Sequence, residues 1–181
     1  FTVSRYKYDT SALIYTVTYK LTRNNGNVTI NSQRNYSNGE VETEKMQLTI
    51  QNNKVTEKTI FEEDESTVQE KIVYTWNSNK LTKLEYIYYD GDDSESETYA
   101  FTYSGNNVDH IKWTEIDVTD GRYEKKEVTT YSYDTAKSNS LFAKLPMEFI
   151  FAIDEEGGTI AMHLSENETT KSVCDYESIS Y

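Results

Sequence analysis

The chain has 181 residues, a length that suits one large all-β domain, and a formal net charge of −13 from 31 acidic against 18 basic residues. That negative field opposes binding to nucleic-acid phosphates or to an anionic membrane. No apolar run approaches the eighteen or so residues that a membrane helix needs, so we expect no membrane span.

A hairpin repeat runs through most of the chain. Four stretches align without a gap, and their last residues are separated by steps of 27, 26 and 27. Each stretch predicts a strand, a tight turn and the start of a return strand. A shorter unit opens the chain at Tyr6 to Leu13, and an echo at Tyr131 to Asp134 closes the regular region. The four aligned stretches are residues 19–28, 46–55, 72–81 and 99–108.

Large residues alternate with threonines inside each repeat. Because side chains alternate between the two faces of a strand, the large residues should share one face and the threonines the other. We therefore expect one set to be much more buried than the second set. The first set is Leu48, Ile50, Tyr74, Trp76, Phe101 and Tyr103, and the second is Thr22, Thr49, Thr75 and Thr102.

Two kinds of turn follow one another along the chain. Asn, Ser and Gly end the outgoing strands, and these residues tolerate a left-handed backbone or bond their own chain. The return strands end in a second, more acidic set of turns. In a meander, the two sets should lie at opposite ends of the sheet. The second set is Asn38-Gly39, residues 62–66, residues 90–94 and Asp120-Gly121.

The pattern changes after residue 134. Leu141 to Leu145 precedes Pro146 and predicts either one helical turn or an irregular plug, since Pro disfavours helix in the residue before it. A hairpin of Glu148 to Ile153 with Thr159 to Leu164 should follow, and then a final strand at Tyr176 to Tyr181.

These elements predict an all-β, up-and-down antiparallel meander of about 12–14 strands. So many strands should curl into a full or partial barrel, with an open single-layer sheet as the alternative. We interpret residues 1–181 as a single, monomeric domain, with regular hairpins in residues 1–134 and an irregular segment with closing strands in residues 135–181.

Tyr6–Asp9 and Tyr131–Asp134 resemble degenerate tyrosine–aspartate (YD/RHS-type) repeats, which build β-shells in large secreted bacterial proteins. Over roughly residues 1 to 165 the chain more closely resembles a domain of unknown function in secreted Bacteroidota lipoproteins, which has a porin-like fold. Most repeats here lack the Asp and the following Gly-Arg of the tyrosine–aspartate pattern. The resemblance implies export to the periplasm or outer-membrane surface, with an N-terminal lipid anchor upstream of Phe1. It supplies no catalytic residues.

Metal ligands are sparse. His110 and His163 lie 53 residues apart, with no Cys or His at zinc-ligand spacing near either, so we interpret both as ordinary sheet residues. Asp90 to Glu97 concentrates oxygen ligands of the kind that calcium takes, but it does not match the EF-hand loop. We interpret it as a solvated acidic turn, with calcium binding as the alternative, and we predict no transition metal and no organic cofactor.

Catalytic signatures are also sparse. The Gly-x-Ser-x-Gly elbow of serine hydrolases does not occur, and Cys174 has no His close in sequence. Among 31 acidic residues no pair stands out for glycoside hydrolysis. Sequons at Asn27, Asn35 and Asn167 matter only in a glycosylating host. We therefore predict that the protein is not an enzyme, and a hydrolase is a distant third hypothesis.

The aromatic residues give the most specific functional hypothesis. Rings on a sheet can stack on sugars or hold an apolar ligand, and they can equally fill the inside of a curled sheet. The first hypothesis is a cell-envelope module that binds a glycan or small apolar molecule. The second is a structural part of an envelope assembly that engages a protein partner through a sheet edge. The candidate ligand-facing residues are Tyr74, Trp76, Tyr86, Tyr103 and Trp113.

Overall fold

The computed structural model describes residues 2–6, 12–62, 64, 66–90, 93–117, 123–138, 145–153, 160, 164–165 and 167–180. Within these residues the chain forms eleven strands and one short helix. They are β1 (Thr2–Tyr6), β2 (Leu13–Asn24), β3 (Asn27–Tyr36), β4 (Val41–Gln51), β5 (Lys54–Phe61), β6 (Val68–Asn77), β7 (Lys80–Asp90), β8 (Asp93–Ser104), β9 (Asn107–Asp117), β10 (Tyr123–Ser138), α1 (Met147–Ile153) and β11 (Asn167–Ser180).

The strands follow one another in sequence order from β1 to β11, so the fold is the expected antiparallel up-and-down meander. The order has two ends, β1 and β11, as in an open sheet. Contacts group the chain into two compact units, Phe1–Lys71 and Ile72–Tyr181, and each is described by itself below. The single-domain interpretation stays a prediction.

The two faces of the strands differ in burial as the repeat predicts. Leu48, Tyr74 and Phe101 are buried, with exposures of 0 %, 4 % and 6 %. Ile50, Trp76 and Tyr103 are half-buried. Thr22, Thr75 and Thr102 are exposed. Thr49 is half-buried like Ile50, so the two faces do not differ there, and the pairing of β4 with β5 shifts register beside these two residues.

The Asn-rich turns contain residues with a left-handed backbone conformation, as the composition of these turns predicts. Positive φ occurs at Asn25, Asn52, Asn53 and Ser78, and at the turn glycines Gly26 and Gly105. Gly26 also has a second constraint, because its carbonyl accepts a hydrogen bond from the Ile50 amide at 2.7 Å. A Cβ at Gly26 would stand 3.3 Å from the Ile50 carbonyl oxygen. Glycine therefore satisfies both the turn and the close approach of β4.

An aspartate organises the acidic turn between β5 and β6. Asp64 Oδ1 accepts hydrogen bonds from the amides of Ser66 at 2.8 Å and Thr67 at 2.7 Å. Its Oδ2 accepts bonds from the hydroxyls of the same two residues at 3.1 and 2.5 Å. These donors, first of all the Thr67 hydroxyl, lower the pKa of Asp64. The Asp64 carboxylate thus accepts the hydrogen bonds that hold its own turn together.

The hairpin that we predicted for residues 148–164 is wrong. Met147–Ile153 is helix α1, and Ile160 and Leu164 are also helical, while residues 154–159 lie outside the described residues. Pro146 directly precedes the helix and caps its start, since its carbonyl accepts the amides of Phe149 at 3.0 Å and Ile150 at 3.2 Å. Proline suits this place because it has no amide to satisfy there. The loss of these two strands accounts for a count of eleven in the described residues instead of twelve or more.

A polar clamp joins the start of β11 to the start of β9 in the second unit. Asn167 and Asn107 bond reciprocally, with the Asn107 amide donating at 2.9 Å and the Asn167 backbone amide donating back at 2.9 Å. Ser165, which is 3 % exposed, accepts the Val108 amide at 3.1 Å and contacts the Tyr133 hydroxyl at 2.9 Å. Tyr133 also donates to the Val108 carbonyl. The clamp satisfies buried polar groups where the chain re-enters the sheet.

Candidate functional site

The five predicted aromatic residues all belong to the second unit, on strands β6 to β9. Two of them pack against helix α1. Tyr74 lies edge-on to Phe151, with ring centroids 4.8 Å apart, and Trp76 is stacked on the same ring at 6.2 Å. Tyr74 and Phe151 are only 4 % and 0 % exposed. The geometry of Tyr74 and Trp76 therefore matches the second interpretation of the aromatic residues, in which the rings fill the core and do not face a ligand.

Tyr103 is also tied to the fold. Its hydroxyl donates to the Leu81 carbonyl at 3.0 Å, and the Lys80 ammonium lies 4.9 Å from its ring centroid. Lys80 is held there by the Gly105 carbonyl, which accepts from its Nζ at 2.6 Å. Burial, the main cause, raises the pKa of Tyr103 to about 12 by disfavouring the phenolate. The residue therefore holds the β7–β8 edge of the core together.

This pKa shift predicts a stability change at high pH. Between the ordinary tyrosine pKa of about 10 and the folded value of about 12, the unfolded chain loses the Tyr103 proton while the folded chain keeps it. The folded state then binds more protons, so the free energy of unfolding should fall as the pH rises through this window. Urea unfolding of wild type and Tyr103→Phe should give a stability difference that shrinks between pH 10 and 12. A constant difference would mean that the phenol is not protected by folding.

The other two predicted residues, Tyr86 and Trp113, meet around a carboxylate. The register pairs Tyr86 with Glu97, and Tyr99 with Trp113, so these four side chains share one face. Trp113 Nε1 donates to Glu97 Oε2 at 3.0 Å, and the Tyr99 hydroxyl donates to the same oxygen at 3.3 Å. With Tyr88 added, we name this group the Glu97 cluster: Tyr86, Tyr88, Glu97, Tyr99 and Trp113.

The rings of the Glu97 cluster form a continuous aromatic surface. Tyr99 lies 5.4 Å from Tyr86 and 6.5 Å from Trp113, measured between ring centroids, and Tyr86 stacks on Tyr88 at 6.1 Å. Tyr86 is 4 % exposed and anchors the surface, whereas Tyr88 is 38 % exposed. Glu97, Tyr99 and Trp113 are half-buried. A ligand can therefore reach both the rings and the carboxylate.

Sequence reasoning missed the role of Glu97. We grouped it with the acidic turn of residues 90–97, but β8 begins at Asp93 and places Glu97 well inside the strand. The available signal was the alternation itself, since Glu97, Tyr99, Phe101 and Tyr103 occupy successive positions of one face. Glu97 places a charge at the end of an aromatic row, and a charged group that is half-buried needs a hydrogen-bond partner.

The remaining candidate ligands for metals are His110 and His163. His110 Nδ1 lies 3.0 Å from Asp109 Oδ2, and in the part of the chain that the structure describes no group of three or more His, Cys, Asp or Glu is placed to hold a metal ion. His163 lies outside the described residues, so the predicted separation of the two histidines is untested. Cys174 lies on β11, where it pairs with Thr129.

A polar cavity of about 390 Å³ opens on the first unit, and the sequence analysis did not predict it. Six of its residues come from one face of β2, β3 and β4, and we name it the hydroxyl–amide pocket. The sequence signal for this pocket was the set of polar residues that alternate with the large ones, which we interpreted only as the less buried face. The lining residues are Thr18, Lys20, Asn31, Ser32, Gln33, Thr43, Glu44, Lys45 and Glu62.

No protein family, curated protein or solved structure that we compared matches this chain. The resemblance to Bacteroidota lipoproteins and to tyrosine–aspartate repeats therefore remains a hypothesis. Among the described residues, none of the helical segments is both long and apolar enough to cross a membrane.

Proposed function

We propose that the protein is a non-enzymatic binding module that holds a glycan on the Glu97 cluster. The observation that carries this proposal is the Glu97 carboxylate, fixed through one oxygen by Trp113 and Tyr99 beside rings that ligands can reach. Sugars present apolar C–H faces that stack on rings and hydroxyl groups that donate to carboxylates. The cluster offers both kinds of contact in a preorganised arrangement.

The carboxylate also favours one of the two ligand classes that the sequence leaves open. A wholly apolar ligand would strip water from Glu97 without replacing its hydrogen bonds, which costs free energy. A polyhydroxylated ligand replaces that water with hydroxyl donors, and bonds to a charged acceptor are the stronger kind. A glycan is therefore favoured over a small apolar molecule.

The cellular setting follows from the family resemblance. A secreted lipoprotein at the periplasm or outer-membrane surface would meet polysaccharides there, with an N-terminal lipid as its anchor. A chain charge of −13 helps to keep such a module soluble. Export and anchoring are part of the proposal and rest on the resemblance alone.

Two substitutions test the proposed site. A glycan array should identify a bound oligosaccharide, and calorimetry should then show affinity losses of about tenfold or more for Trp113→Ala and Glu97→Gln. Tyr89→Ala and Glu85→Gln are the matched controls, because Tyr89 is 38 % exposed and neither residue belongs to the cluster. Both controls should bind like wild type, and circular dichroism should show all four variants folded.

Two results would contradict this proposal: an empty array with folded wild-type protein, or equal losses in the controls. The second hypothesis, a structural module that engages a protein partner through a sheet edge, would then be favoured. The fourteen-residue strand β11 stands at one end of the strand order and offers a long edge for a partner strand.

A further inference from the structure

We propose that the hydroxyl–amide pocket of the first unit is a separate binding site for an acidic saccharide, with a carboxylate of the sugar held between Lys20 and Lys45. The proposal goes beyond the Glu97 cluster, shares no residue with it and can fail or stand independently of it. Its volume of about 390 Å³ falls in the range of small-molecule sites.

The strand register places the two lysines on either side of one amide. Lys20 pairs with Asn31 across β2 and β3, and Asn31 pairs with Lys45 across β3 and β4. Adjacent strands are about 4.8 Å apart, so the two lysine backbones stand roughly 10 Å from each other with the Asn31 side chain between them. A carboxylate above Asn31 can accept from both ammonium groups and from the amide.

A neutral row lies next to the charged row. Thr18 pairs with Gln33, and Gln33 pairs with Thr43, two residues further along each strand. These hydroxyl and amide groups donate and accept hydrogen bonds without carrying charge. They are suited to the hydroxyl groups of a sugar ring whose acidic group occupies the lysine row. A simple inorganic anion would leave this second row unused.

Local charge supports the choice of an acidic ligand. The chain as a whole carries −13, yet the pocket lining balances two lysines against two glutamates, and both lysines lie among the six side chains of the two rows. Lys45 is half-buried, and its ammonium lies 5.2 Å from the ring centroid of Phe61 on β5, a contact that restrains the lysine side chain. By strand alternation, Ser32 and Glu44 direct their side chains to the opposite face.

Glu62 is the acidic group left at the rim. It follows the end of β5, directly after Phe61, and it is exposed. A carboxylate there opposes a bound anion, so its removal should act in the opposite direction to removal of a lysine. This difference in sign separates an electrostatic effect on the ligand from general damage to the fold.

The test uses the full chain with short oligomers of galacturonic, glucuronic and mannuronic acid. NMR titration should show binding of at least one oligomer and no binding of its methyl ester, in which the same sugar carries no charge. Lys20→Gln and Lys45→Gln should each weaken binding about fivefold, and Glu62→Gln should strengthen it. Lys112→Gln, an exposed lysine of the second unit, should leave the affinity unchanged.

Several results would overturn the proposal. These are no binding of any of the three acids, equal binding of acid and ester, equal weakening by Lys112→Gln, or weakening by Glu62→Gln. Inorganic phosphate is the last ligand to be titrated. If its affinity equalled that of the best uronate oligomer, the pocket would be a simple anion site in which the sugar has no role. The chemical-shift changes should lie on residues of the hydroxyl–amide pocket and not on those of the Glu97 cluster, which keeps this test distinct from that of the cluster.

Discussion

Phe151→Ala is expected to lower the free energy of unfolding of the second unit by about 3–5 kcal/mol. Phe151 is 0 % exposed and packs on both Tyr74 and Trp76, with centroids at 4.8 and 6.2 Å. Alanine would remove the ring on which both aromatic side chains rest and leave a cavity in its place. Guanidinium unfolding followed by tryptophan fluorescence measures this loss, since both Trp residues lie in the second unit.

Phe149→Ala is the matched control for this prediction. It removes the same side chain from the same helix, but Phe149 is half-buried. Its cost should be less than half that of Phe151→Ala, because less apolar surface returns to water and less cavity forms. Equal losses from the two variants would mean that helix α1 packs through a different face.

The regular part of the fold could be predicted because one physical rule repeats along it. In β4, Met46 and Leu48 alternate with polar residues, and their exposures are 2 % and 0 %. The turn residues Asn25-Gly26 and Asn52-Asn53 add a second signal, since they adopt the positive φ that hairpins of this length need. The alternation predicts which face is buried, and the turn residues predict where each hairpin closes.

Helix α1 escaped prediction because its pattern is ambiguous. Met147–Ile153 is a short apolar run without clear alternation, and such a run suits a buried strand and a buried helix equally well. Pro146 was the useful signal, but we considered only its effect on the preceding residues. In the folded protein Phe151 packs against Tyr74, which lies far away in the sequence. No local sequence pattern predicts that contact.

Lys58 shows a second limit of pattern reasoning. It is 4 % exposed and pairs with Leu48, whose large side chain lies on the buried face. The register shift between Thr49 and Ile50 changes which residues of β5 face that way. A bulge depends on the fit between two strands, so the sequence of one strand does not reveal it.

Only part of each candidate site could be predicted from the sequence, because the sites also depend on the pairing between strands. Aromatic residues stand out in a sequence, so Tyr86 and Trp113 were found, whereas Glu97 is one of 31 acidic residues. Its role comes from cross-strand register, which brings it opposite Tyr86 and within 3.0 Å of the Trp113 indole nitrogen. The hydroxyl–amide pocket likewise joins residues of three strands that no single segment displays.

Leu48→Ala is expected to destabilise the first unit by about 2–5 kcal/mol, because Leu48 is 0 % exposed and its cross-strand partners Val28 and Lys58 are 2 % and 4 % exposed. Amide hydrogen exchange of β4 gives the local opening free energy directly, which is needed because both Trp residues lie in the second unit. Thr22→Ala is the control from the exposed threonine row, and its effect should stay within about 0.5 kcal/mol. The contrast follows from strand alternation, since a shift of one residue would exchange the two faces. If Thr22→Ala lowered the opening free energy more than Leu48→Ala, the face that carries the threonines, and not the face that carries Leu48, would be the buried one.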